Sequence, residues 1–158
     1  MSDGRYPLAL CQRRLARLWY LGALPPTAIL LVQTANGVYP DASAAWKWLL
    51  PTIAPTLGLV TTVLGAGALR ARQGGPAATC DRFFFRVTFW LSAAYLLTVL
   101  FTLGVQPFSA ASPADFLKSS HAVLGPFQGI VATSMGVFFA KSRREASSPA
   151  AAITPDRR

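Results

Sequence analysis

The side chains able to act as nucleophile, acid, base or metal ligand are few, and their spacing excludes more chemistry than it suggests. His121 is the only histidine, and the two cysteines, Cys11 and Cys80, are far apart in the chain. One imidazole cannot hold a haem iron from both sides. No group of His, Cys or carboxylates has the spacing of a metal site, so no metal and no cofactor is expected. The cysteines form no C-x-x-C pair and fall on the side expected to face the cytoplasm, where thiols stay reduced; they read as free thiols. There is no phosphate loop and no credible serine–histidine–acid set. No Asp or Glu interrupts the long apolar runs, which argues against a proton-coupled transporter with an intramembrane carboxylate. The expectation is a protein that is not an enzyme.

What remains is polar but neutral. Gln128 lies well inside the apolar stretch HAVLGPFQGIVATSMG, residues 121–136. Thr61, Ser92 and Tyr95 are candidate partners for it. With His121 at the outer edge, these five residues are the candidate lining of a cavity or pore. The competing reading makes Gln128 a packing amide, which contributes only about 0.6 kcal/mol between membrane helices. His121 is a candidate sensor of external pH, or simply a solvated interfacial histidine.

The elements that must position these residues follow from where charge is missing. No charged residue occurs between Arg17 and Asp41, Lys47 and Arg70, Arg86 and Asp115, or Lys118 and Lys141. Each gap has 22 or more residues, and about 20 cross the hydrocarbon layer as helix. Four spans are expected, near residues 18–34, 48–69, 87–106 and 121–140. Lipid forbids open strands, because unpaired backbone groups there cost several kcal/mol each. The fold class is therefore all-α: an integral membrane bundle of four transmembrane helices within residues 1–141, followed by a disordered cytoplasmic tail over 142–158. The first span reads as retained, since its only small-residue exit, near Ala35, has Gln33 two positions before it.

Orientation follows from the bases. Of fifteen Lys and Arg, all but Lys47 and Lys118 lie before the first span, between the second and third, or after the fourth. The positive-inside rule then puts both termini in the cytoplasm. The net charge of +9 is thus assigned to topology and anionic headgroups, not to nucleic acid. The expected location is the cell membrane (the inner membrane if bacterial), and the asymmetry is too strong for dual insertion.

Within the spans, Pro26, Pro55 and Pro126 fall at similar depth from the outer boundary, and interior prolines favour kinks. Small residues share one face of the second span (Ala54, Gly58, Thr61, Gly65, Ala68) and of the fourth (Gly125, Gly129, Ala132, Gly136). Such faces let helices approach closely, within one chain or between chains. Ser112-Pro113-Ala114-Asp115 reads as a helix start with a capping box. A faint repeat at an offset of 73 pairs Gln33 with Gln106 and Pro40 with Pro113; a true duplication would relate two hairpins by an axis along the membrane normal.

Three functions are carried forward. The first is a non-enzymatic membrane protein acting through helix–helix association, as a subunit of a larger complex or a small homo-oligomer. The second is a channel or carrier for a small neutral solute, with an outer-half cavity near Gln128. The third, a lipid-modifying enzyme, has least support.

Overall fold

The computed structural model describes residues 5–72 and 79–147. Its elements are β1 (Arg5–Pro7), α1 (Leu8–Ala35), α2 (Ala42–Arg72), β2 (Thr79–Asp81), α3 (Arg82–Val105), a 3-10 turn (Gln106–Phe108) and α4 (Pro113–Ser147). Four helices are long and apolar enough to cross a membrane, over Leu8–Ala35, Ala42–Leu69, Arg82–Phe108 and Asp115–Ala140. Each overruns its expected span. Hydropathy locates the part that suits hydrocarbon, whereas backbone hydrogen bonding carries the helix on through its basic and interfacial turns. α4 likewise continues to Ser147, six residues into the expected tail; residues 148–158 lie outside the described part.

The helix ends are built by local chemistry. Gly37, at φ 68°, closes α1. The Val38 N–H donates to the Gln33 carbonyl at 3.0 Å and the Gly37 N–H to Thr34 at 3.1 Å, a Schellman pair that needs the left-handed residue between. Three carboxylates start the other helices. Asp41 accepts from the Ser43 N–H and Asp81 from the Phe83 N–H. At α4 the Asp115 N–H donates to Ser112 Oγ at 3.3 Å, and that hydroxyl donates to Asp115 Oδ2 at 2.6 Å. The expected box is present, with the shorter Asp held through the Ser hydroxyl.

The helices form a four-membered ring in the order α1, α2, α4, α3. Successive helices are antiparallel, so α1 runs parallel to its neighbour α3. A two-fold axis along the bundle would set α1 opposite α3, so the offset of 73 has no such counterpart in the packing. Its two glutamines do meet, as described below. Inside the ring, Trp19, Leu30, Leu49, Val60, Tyr95, Val99, Leu103, Leu124, Val131 and Met135 are fully buried. α1 and α3 are in close contact at Gly22, where a Cβ would stand 2.6 Å from Leu96 Cδ1.

One element was not foreseen. β1 and β2 pair antiparallel, with Tyr6 opposite Cys80, at the end of the bundle that carries most of the basic residues. This ribbon brings the first turn of α1 against β2, and Cys11 and Cys80 are joined by a disulfide. The reading of two free thiols is thereby corrected. Separation in sequence hid a proximity that exists only once α1 and α3 are neighbours. Phe85 and Phe138 pack over the bridge.

Candidate functional site

The five residues expected to line a cavity are divided among three places. Gln128 and Tyr95 belong to a junction around the prolines of α2. Pro55 has no N–H, so the carbonyl of Pro51, four residues earlier, loses its helical donor. Gln128 Nε2 from α4 donates to that carbonyl at 2.9 Å. Tyr95 Oη from α3 donates to the next one, Thr52, at 2.8 Å. Trp19 and Phe127 flank the Tyr95 ring at centroid distances of 6.0 and 5.4 Å. Three helices therefore meet where proline has opened the fourth.

Ser92 is buried nearby on α3, and its hydroxyl has no partner among the described residues, like those of Thr34 and Thr56 and the Trp19 indole N–H. Thr61 is elsewhere, on the exposed side of α2. It donates to the Leu57 carbonyl, so the 2.7 Å contact with Tyr20 is a bond from the phenol to Thr61 Oγ1.

His121 lies at the other end of the molecule from the ribbon, in a cup of about 230 Å³ lined by Tyr39, Ala44, Ala45, Lys47, Trp48, Leu117, Lys118 and His121. The first two turns of α2 and the second and third turns of α4 form its walls. Tyr39, Ala45, Trp48 and Leu117 are the buried floor, and Lys47, Lys118 and His121 are the exposed rim.

The polar atoms of the floor are already occupied. Trp48 Nε1 donates to Ser120 Oγ at 3.0 Å, and Ser120 donates to the Leu117 carbonyl. Tyr39 Oη lies 2.9 Å from Gln33 Oε1 and 3.3 Å from Gln106 Oε1. A phenol has one proton, so it donates to one amide; turning the other presents that amide's NH₂ to the phenol oxygen. Burial raises the Tyr39 pKa above its ordinary value, which keeps that proton in place. Outside the cup, Asp41 is held below the ordinary carboxylate range, chiefly by its hydrogen bonds to Ser43 and last by the charge of Lys47. Lys47 and Lys118, visible in the sequence only as exceptions to a charge bias, thus converge on one cavity.

The small-residue faces point away from the bundle. A Cβ added at Gly58, Gly65, Gly125, Gly129 or Gly136 would meet no atom within 4 Å. Among the described glycines the close intrachain approaches are at Gly22, where an added Cβ would stand 2.6 Å from Leu96, and at Gly67, where it would stand 3.0 Å from Gln12 Oε1, and neither glycine belongs to these faces. On α4 the row Gly125, Gly129 and Gly136 stands one position beyond Leu124, Gln128 and Met135. At 100° per residue, this turns it onto the flank beside the α2 contact. Pro26 is buried in α1, while Pro55 and Pro126 are exposed; all three lie inside continuous helices.

A second hollow, an open groove of about 450 Å³, lies at the basic end between Arg14, Arg17, Leu18, Leu21, Gly22 and Phe89. Among the described residues no three His, Cys, Asp or Glu gather to hold a metal ion. Comparison with protein-family models, with curated proteins and with solved structures returns no match.

Proposed function

We propose that the chain is a multi-pass protein of the cell membrane that acts through helix–helix association, as the subunit of a small homo-oligomer, without catalysing a reaction. One observation carries the reading: five glycines in two helical rows face open space on α2 and α4, while the fold's own tight crossing uses Gly22. In lipid there is no hydrophobic drive between helices, and small residues gain dispersion contact by admitting a neighbouring backbone. The α2–α4 flank is the surface that would receive it.

The charge distribution supports termini in the cytoplasm. In that orientation Arg14 and Arg17, above an apolar groove, face the anionic inner leaflet. A neutral-solute path near Gln128 has less support, because that amide is engaged by Pro51 and the described cup lies at His121. A lipid-modifying reaction has less still: Asp41, Asp81 and Asp115 are each engaged in starting a helix.

The test is the oligomeric state in vesicles, read by single-molecule photobleaching across a range of protein-to-lipid ratios. The wild type is expected to associate, and Gly129→Leu to lower the associated fraction at least tenfold with its melting temperature as a monomer unchanged. A wild type that stays monomeric throughout the range overturns the proposal.

A further inference from the structure

The cup at the end opposite the ribbon has a chemistry of its own, independent of how copies associate. Its floor is apolar in effect, since the phenol of Tyr39 and the indole of Trp48 spend their protons on neighbours. Its rim has two lysines and a histidine, and among the described residues no carboxylate lines it. The N-terminal ends of α2 and α4 lie at this same end of the molecule, where the helix dipoles add positive potential. Asp41 lies outside and is satisfied by Ser43, so it offsets Lys47 only in part. Asp115 accepts from Ser112, its own helix cap.

A cavity of this size with an apolar base and a cationic mouth matches an organic anion with a small, water-avoiding body. A bare phosphate would use the rim and leave the floor empty, and a neutral solute would leave the lysines without a counter-charge.

We infer that this cup is a binding site for a small organic monocarboxylate, its body against Trp48, Ala45 and Leu117 and its carboxylate between Lys47 and Lys118. His121 closes the third side, its ring 6.1 Å from that of Trp48.

Benzoate is a suitable probe, measured by equilibrium dialysis on the full chain in phosphatidylcholine nanodiscs. These contain no anionic lipid, and empty discs give the partition background. Saturable binding is expected, with neither benzyl alcohol nor inorganic phosphate displacing the probe. Lys47→Gln combined with Lys118→Gln is expected to weaken binding at least tenfold. Ala44→Leu, which narrows the cup from its wall and keeps both lysines, is expected to weaken it similarly. Absence of saturable binding, unchanged affinity in the double variant, or equal displacement by benzyl alcohol or by phosphate would each overturn the assignment.

Discussion

Pro55 and Gln128 are 73 positions apart, yet each accounts for the other. The proline deprives the Pro51 carbonyl of its donor, and the amide supplies one from the neighbouring helix. A coupling between the two substitutions follows. Gln128→Leu is expected to cost about 1 kcal/mol, within the range for interhelical hydrogen bonds in membranes. In a Pro55→Ala background, where the backbone N–H returns, the same substitution is expected to cost close to nothing. A double-mutant cycle measured by reversible unfolding in mixed micelles reads the difference directly, and equal costs in both backgrounds would discard the explanation. From the sequence, Gln128 was the one amide well inside a span, read either as cavity lining or as a packing amide. Its role was hidden because the defect that it repairs is in another helix.

Among the elements, the contrast between the two kinds of glycine is the sharpest. Gly22 sits where Leu96 leaves no room, so Gly22→Val is expected to destabilise the bundle by about 1–3 kcal/mol, as overpacking does. Gly65→Ala, directed into open space, is expected to leave thermal stability within about 0.5 kcal/mol of wild type. A Gly22→Val loss no larger than that of Gly65→Ala would show that the α1–α3 approach does not set the effect.

The four helices were legible because charge is excluded from lipid, and that signal is strong over twenty residues. The cap at Ser112 was legible because it is local. The ribbon was not, since three residues per strand carry no period. Gly22 was not either, because a solitary glycine in a leucine-rich run looks the same whether it faces a neighbour or lipid. The periodic glycines stand in open space, and period alone does not say what such a face meets. Lys47 and Lys118 were read as two stray charges, because their convergence depends on α2 and α4 standing side by side.

On the scale of the whole molecule, the two ends differ in kind. One carries the ribbon, the bridge and most of the positive charge; the other has two short connections and the cup. Disulfides persist in oxidising compartments, whereas the basic end is the one assigned to the cytoplasm. Burial reconciles the bridge with that proposed orientation. Cys11 and Cys80 are 1% and 2% exposed, beneath Phe85 and Phe138, so a thiol reductant must open this end of the bundle before it can attack.

The bridge also changes what the chain is as a covalent object. Once it closes, residues 11–80 form a ring that contains all of α2 and all but the first three residues of α1, and α3 and α4 hang from it as a tail. A protease site engineered between residues 73 and 78 would, when cut, leave the two pieces tied together. The nicked protein is expected to run as one band without reductant and as two fragments with it. Two bands under both conditions would mean that the ring was never closed.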